Sequence, residues 1–220
     1  MAKASVVMIS MNEEKAVAGV INDIKKHAPS AEILIVDSSK DKTAEIAEAN
    51  GAKVIKQFPP KGYSRAMELA LKSASGDIII TMDCDSTYPA SDIPKLISLM
   101  EEGYDLVNTT RVAKRPKNMP FANFLANRVF ALFTWLRHGI KTTDVHSGMR
   151  AYKREMIHKL DWDLTGPALP VELFIKPIKH GYKYIEIPID YFERIGQTTL
   201  NKFDSTIWTF KRIFCKQNYY

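Results

Sequence analysis

The sequence predicts an α/β protein built on a mostly parallel sheet flanked by helices, and three observations predict it. Short apolar runs alternate with stretches of helical period along the first half of the chain, the pattern of repeated strand-helix-strand units. The connections between them are short, which favours right-handed crossovers and parallel neighbours. The third observation is the run GDIIITMDCDSTYP over residues 76–89. There Ile78, Ile79, Ile80 and, past Thr81, Met82 form a bulky stretch bounded by turn residues, as expected of a strand buried on both faces.

Residues 4–9, ASVVMI, are a first strand; Ser10-Met11-Asn12-Glu13-Glu14 follows, with Asn12 placed to cap a helix whose first turn is acidic. That helix continues through Val17, Val20, Ile21 and Ile24 and stops near His27-Ala28-Pro29. A second strand over 33–36 ends at Asp37, and Ser38-Ser39-Lys40-Asp41 leads into a helix through Ile46 that closes at Asn50-Gly51. Residues 53–56 are a third strand. Pro59-Pro60-Lys61-Gly62 is a rigid turn before a helix over 63–73, and the residue 76 strand comes next. The carboxyl ends of such strands line one crevice, where open α/β sheets bind their ligands.

A chain of 220 residues at 45% hydrophobic content can bury one large core. We expect one domain over 1–200 and a C-terminal amphipathic helix within 201–220. The formal charge of +6 points to anionic partners such as phosphates or an anionic membrane surface. Cys84 and Cys215 are too few for a disulfide framework. No run reaches the roughly 18–20 apolar residues a spanning helix needs. The start, MAKASVVMISMNEEK, lacks the apolar region and cleavage site of a signal peptide, so the expected location is cytoplasmic.

Asp83 and Asp85 flank one residue at the end of the fourth strand. Carboxylates this close repel one another in a dry site unless a cation lies between them, and hard divalent cations take oxygen ligands. The triplet reads equally as a polar strand end making caps and turns. The crevice gathers Asn12, Glu13, Asp37, Lys61, Arg65, Asp83 and Asp85. A nucleoside diphosphate fits this set, because carboxylates accept hydrogen bonds from ribose or base while a metal and a cation neutralise the diphosphate. For Asp37 the alternative is a turn aspartate, and for Lys61 a solvated loop lysine. Neither a P-loop nor a Gly-x-Gly-x-x-Gly fingerprint occurs, which disfavours a dehydrogenase.

The ordered series Asn12-Glu13, Asp37-Ser38-Ser39 with Asp41-x-Thr43, Lys61-Gly62 and Asp83-Cys84-Asp85 resembles the nucleotide-sugar half of the family 2 inverting glycosyltransferases of GT-A fold. The later block Asp144-Val-His-Ser147-Gly148-Met-Arg150-Ala-Tyr152, with Glu172, Glu186-x-Pro188 and Arg194-Ile-Gly196, is similar to that of the dolichyl- or polyprenyl-phosphate sugar synthases. Three positions depart from that pattern. Ile9 and Met11 replace a Pro and a Tyr, Asp37-Ser38 stands for Asp-Asp, and Gln197-Thr198-Thr199 follows Gly196 where a lysine is expected. Lys202 is the nearby candidate to replace that lysine.

The resemblance implies a metal-dependent hexosyltransferase. Mg²⁺ or Mn²⁺ is expected on Asp83 and Asp85, the donor is GDP-mannose or UDP-glucose, and the acceptor is a polyprenyl or dolichyl phosphate. The donor set is Asn12, Glu13, Asp37, Lys61, Arg65, Asp83, Arg111 and Ser147. Arg111, Arg150, Arg194 and Lys202 are candidates to gather the acceptor phosphate, since guanidinium forks match phosphate oxygens; each arginine reads alternatively as a structural ion pair. A lipid phosphate needs no general base, being mostly ionised with a second pKa of about 6. A glycan or small-molecule hydroxyl, the second expectation, needs one, and Glu172 or Asp144 is the candidate. A non-catalytic nucleotide-binding protein is the third. His146 and His158 read as surface or packing residues, and Glu186 as structural.

Between Met119 and Ile140, Phe121, Phe124, Leu125, Val129, Leu132, Phe133 and Leu136 recur at helical spacing, with Phe130 and Trp135 widening the apolar face. Such a helix is either buried core or, given Arg111, Lys114, Arg115, Lys117, Arg128, Arg137 and Lys141 around it, an interfacial helix on anionic headgroups. The stretch from Ile207 to Lys216 has the same basic-aromatic character, fitting a second surface anchor or a homodimer helix. No nucleic-acid motif accompanies these patches.

Overall fold

The computed structural model describes residues 2–113, 115–117, 119–197 and 202–215, the side chain of Lys202 excepted. The strands are β1 (Ala4–Ser10), β2 (Glu32–Asp37), β3 (Lys53–Lys56), β4 (Ile78–Thr81), β5 (Leu106–Thr110), β6 (Arg150–Lys153) and β7 (Tyr184–Pro188). The helices are α1 (Val17–His27), α2 (Thr43–Ala49), α3 (Tyr63–Ser73), α4 (Ile93–Glu101), α5 (Phe121–His138), α6 (Arg154–Lys159), α7 (Leu169–Lys179) and α8 (Lys202–Phe214).

One sheet runs in the order β3-β2-β1-β4-β6-β5-β7. β6 is antiparallel to β4 and β5; the remaining described pairings are parallel. Registers Ser10 to Asp37, Val7 to Thr81 and Thr81 to Arg150 bring the ends of β1, β2 and β4 to the same edge. Alternation along each strand splits the core into two layers. Val6, Met8, Ile33, Ile35, Ile78 and Ile80 pack under α1 and α4. Val7, Leu34, Val36, Ile79 and Leu106 pack with Met67 and Leu71 of α3 and with Phe174 of α7. β4 is buried along its whole length, as its unbroken isoleucine run requires.

One expectation changes and two are refined. α1 begins at Val17, not after Asn12. Asn12 has φ 60° and its Oδ1 accepts the Lys40 N–H at 3.0 Å, so it turns the chain instead of capping the helix; asparagine tolerates this left-handed conformation better than most residues. The Ala16 and Val17 amides then close on the Glu13 carbonyl, which leaves the Glu13 side chain facing the crevice. Second, α5 carries its stripe outward: Phe121, Leu125, Val129, Leu132, Trp135 and Leu136 are exposed, while Phe130, Ala131, Thr134 and His138 face the protein. Third, the expected C-terminal amphipathic helix, α8, packs on the domain through its C-terminal half, where Thr209, Arg212 and Ile213 are buried.

Buried polar groups hold α8 down. Arg212 pairs with Glu172 of α7 and donates to the carbonyls of Asp163 and Thr165 at 2.6 and 2.7 Å. His138 Nε2 of α5 meets the Ile213 carbonyl at 2.8 Å. Gly166, at φ +69°, lies under the Trp208 ring so closely that a Cβ there would fall 2.2 Å from it. Only glycine satisfies both the conformation and the approach. The expected boundary near residue 200 lies outside the described residues. No described helix is long and apolar enough to cross a membrane.

Candidate active site

The ends of β1 and β4 supply three carboxylates to one cleft of about 880 Å³. Glu13 and Asp85 are buried and Asp83 is half-buried. Asp85 is fixed first: its Oδ1 accepts the Thr87 amide at 3.1 Å and the Thr87 hydroxyl at 2.6 Å, across a left-handed Ser86 at φ 68°. Its Oδ2 is left facing Arg194, whose Nη1 donates to it at 2.6 Å. The other arm of the same guanidinium pairs with Glu13 Oε1, while Glu13 Oε2 is buried without a hydrogen-bond partner.

Burial raises the Glu13 carboxyl to a pKa of about 7, with Arg194 opposing and Asp85 and Asp83 reinforcing the rise. Asp83 is pushed up by burial and then by Asp85, against Arg111 and Arg194. Gly148 crowds this group, since a Cβ built on it would sit 2.8 Å from Asp83 Oδ2.

On the facing wall Arg111 forms a two-pronged pair with Asp144, Nε to Oδ2 at 2.7 Å and Nη2 to Oδ1 at 3.0 Å. The guanidinium lies 5.9 Å from the Tyr88 ring centroid and 5.4 Å from that of Tyr191. The pair keeps the Asp144 carboxyl low despite its burial. His146 closes the cleft toward α8. Thr209 gives its hydroxyl proton to the Ser205 carbonyl, so its oxygen accepts from His146 Nε2 at 2.7 Å. Nδ1 is therefore an unprotonated, buried acceptor without a partner, and burial lowers the imidazole pKa to about 4.

Strand-end carboxylates facing basic groups across a cleft at a parallel sheet edge suit a phosphorylated ligand. The sequence agrees, matching the family described as glycosyl transferase family 2 over residues 5–161. The chain belongs to that family. A dolichyl-phosphate hexose transferase of Haloferax volcanii is 41% identical over 201 residues, covering 90% of this chain and 87% of the relative. A dolichol-phosphate mannosyltransferase of Pyrococcus furiosus is 28% identical over 201 residues, covering 86% of this chain and 56% of the relative. Among solved structures, glucosyl-3-phosphoglycerate synthase of Mycobacterium tuberculosis with Mn²⁺, UDP-glucose and glycerol 3-phosphate superposes with a TM-score of 0.79 at 20% identity. It covers 97% of this chain and 79% of that one. The fold of this family 2 glycosyltransferase is therefore GT-A.

The remaining expected site residues of the glycosyltransferase divide. Asp37 is buried beside the cleft, its Oδ1 accepting the hydroxyls of Ser10 and Ser39 at 2.6 and 2.5 Å, and it presents its neighbour Ser38 to the cleft. Asn12, Lys61 and Arg65 are exposed; the lining near them comes from Met11, Pro60, Gly62, Tyr63 and Ala66. Ser147 is buried, its hydroxyl 2.6 Å from that of Thr109, so it fixes the turn that carries Gly148. Arg150 lies wholly inside, donating to Asn108 Oδ1 at 2.5 Å and to the Val145 and Pro170 carbonyls. Glu172 is 0% exposed under α8 and does not line the cleft. Glu186 serves Thr142, Thr143 and Asn108.

The structure adds Tyr191, Asn123, Asn127 and Phe130 to the cleft, and the buried Tyr88 packs against Tyr191 and Arg111. Of these the linear pattern marked only Phe130, as part of the apolar face of α5, because the cleft forms only when α5 and the segment after β7 fold over the sheet edge. The side chain of Lys202 and residues 198–201 lie outside the described residues.

Proposed function

We propose that this glycosyltransferase moves a hexose from a nucleoside diphosphate sugar, GDP-mannose or UDP-glucose, to a polyprenyl or dolichyl phosphate at a membrane surface, inverting the anomeric carbon. One observation carries the reading: the acidic cluster of the cleft, Glu13, Asp83 and Asp85, shares the cleft with two arginines, Arg194 in direct contact with it and Arg111 on the same lining, while α5 and α8 border the cleft and turn apolar faces outward. The names of the two archaeal relatives, both lipid-phosphate transferases, support the acceptor class.

Two carboxylates with diphosphate oxygens completing the shell are a normal home for Mg²⁺ or Mn²⁺. Among the described residues no group of three or more His, Cys, Asp or Glu stands ready to hold a metal alone. The buried, unpartnered Glu13 Oε2 and the upward-shifted Asp83 are the strains that added positive charge relieves. The ion would neutralise the diphosphate as it leaves.

In the transfer, a non-bridging oxygen of the acceptor phosphate attacks the anomeric carbon from the face opposite the leaving group. The bond from that carbon to the diphosphate oxygen breaks, and the nucleoside diphosphate takes the electron pair. No proton has to be removed, because the lipid phosphate is already ionised. Arg111, held rigid by Asp144 and collared by Tyr88 and Tyr191, and Arg194 are positioned to receive phosphate oxygens. Ser38 and the loop around Asp37 suit the nucleoside end.

The membrane contact rests on charge as well as greasiness. Residues 111–141 hold seven of the 31 basic residues and none of the 25 acidic ones. The rest of the chain, with 24 basic and 25 acidic residues, is nearly neutral. Basic segments beside an apolar helix face are drawn to anionic lipid at about 1 kcal/mol per charge.

The test is donor binding followed by transfer. Thermal stabilisation by UDP, GDP, UDP-glucose and GDP-mannose with and without Mn²⁺ should reveal one nucleotide series, and that donor should label polyprenyl phosphate. Asp85→Asn should abolish metal-dependent transfer; full activity in that variant would overturn the reading. A hydroxyl acceptor is a second reading, for which His146, the one histidine on the cleft lining among the described residues, is the candidate base. Transfer to a free sugar or glycan, lost in His146→Gln, would select it.

A further inference from the structure

Arg194 lies where the acidic cluster would receive an incoming cation. Asp85 has two oxygens, and Thr87 occupies Oδ1 with two hydrogen bonds. That leaves Oδ2 to face the cleft, and Arg194 Nη1 takes it at 2.6 Å while Nη2 takes Glu13. A divalent ion shared by Asp83 and Asp85 needs the same Oδ2, because carboxylate oxygens reach such ions only at roughly 2.0–2.6 Å. A guanidinium nitrogen and a metal ion cannot both occupy that position, since each is a cation and each excludes the other by volume and by charge.

The backbone around Arg194 is fastened to the same loop. The Phe192 amide donates to the Thr87 carbonyl and the Ile195 amide to the Asp85 carbonyl, both at 3.0 Å. A Cβ at Gly196 would stand 3.4 Å from Glu13 Oε2. The fastening is incomplete: Arg194 Nε and Glu13 Oε2 are both buried without partners. Side-chain exposure is 31% for Arg194 against 5% for Asp85, so the arginine enters from the rim and can withdraw along the same path.

We propose that Arg194 is a counter-cation latch on the donor site. It neutralises Glu13 and Asp85 until a metal-bearing nucleoside diphosphate displaces it, and its release delivers the guanidinium to the next anion, the acceptor phosphate. Donor therefore binds before acceptor, and metal occupancy couples the two sites through one side chain. This rests on the donor-site reading above.

The test uses the full chain and two probes, Mn²⁺ with UDP and Mn²⁺ with GDP. Titration calorimetry should give wild type a measurable affinity for one of them, and Arg194→Gln an affinity about tenfold tighter, because the competing occupant is gone. Arg194→Lys, which keeps the charge but not the fork, should fall between. In wild type, hydrogen exchange at the Phe192 and Ile195 amides should accelerate when the probe binds. A melting temperature for each variant guards against misfolding. Equal or weaker binding by a folded Arg194→Gln, or unchanged exchange at those amides on saturation, overturns the latch alone. If wild type binds neither probe, the donor-site reading falls together with it.

Discussion

Replacing Glu172 by Gln separates two roles that one glutamate cannot hold at once. As a general base it would have to reach an acceptor in the cleft. In the fold it is fully buried, its Oε1 accepting the Asp163 amide at 3.2 Å and its Oε2 paired with Arg212 of α8. Removing one partner of a buried pair costs about 3–5 kcal/mol, because the remaining charge is left uncompensated. Here the cost falls below that range: Arg212 keeps Asp163 Oδ2 at 2.9 Å and two carbonyls, and Gln retains an oxygen for the Asp163 amide. At about 2–3 kcal/mol, and roughly 2–4 °C per kcal/mol for a chain of this size, the melting temperature should drop by about 4–12 °C. Calorimetry reads that drop, and transfer measured well below the new melting point should survive with a raised acceptor KM, since α8 borders the cleft. The pair Glu172→Leu with Arg212→Met should recover much of the loss, as apolar replacements of buried ion pairs often do. An unchanged melting temperature with abolished turnover would refute the reasoning and make Glu172 a base.

Other expectations follow from the same geometry. Gly148→Ala should leave the melting temperature within about 2 °C but weaken Mn²⁺-nucleotide binding about tenfold, near 1.4 kcal/mol, because the new methyl must push Asp83 aside; unchanged affinity by calorimetry would count against Asp83 as a ligand. For His146 the folded pKa of about 4 lies below the unfolded 6.5, so the unfolded chain binds the extra proton and this contribution to stability is lost as pH falls from about 6.5 to 4. Urea unfolding at pH 7 and 4.5 should show wild type losing on the order of 2 kcal/mol more than His146→Gln, and parallel losses would sink the assignment. Leu132→Glu with Leu136→Glu should abolish co-sedimentation with phosphatidylglycerol vesicles, which for wild type should weaken as salt rises. Vesicle binding untouched by both changes would move the contact elsewhere.

Much of the scaffold was legible because its signals are local. Residues 63–73 and 53–56 carry their helix and strand by periodicity and flanking turn residues, and both were found at those bounds. β4 announced itself through three consecutive isoleucines, with Asp83 and Asp85 just beyond it. Asn12 misled because asparagine serves helix caps and left-handed turns equally, and the partner that decides between them, the Lys40 amide, is 28 residues away.

By itself, the sequence determined the first four strands, the mostly parallel sense of the sheet and the carboxylates at their ends, since strand burial and strand-end position follow from residues adjacent in the chain; β5, β7 and the antiparallel β6 came from the tertiary structure. Tertiary structure alone decided the fate of each long-range polar group. Arg150 and Arg194 look alike in sequence, yet one lies wholly buried among carbonyls and the other bridges Glu13 and Asp85 across the cleft. Glu172 and Asp144 looked like bases until Arg212 and Arg111, 40 and 33 residues away, folded onto them. A charge acquires its role from what neutralises it, and that partner is chosen by packing in three dimensions, not by spacing along the chain.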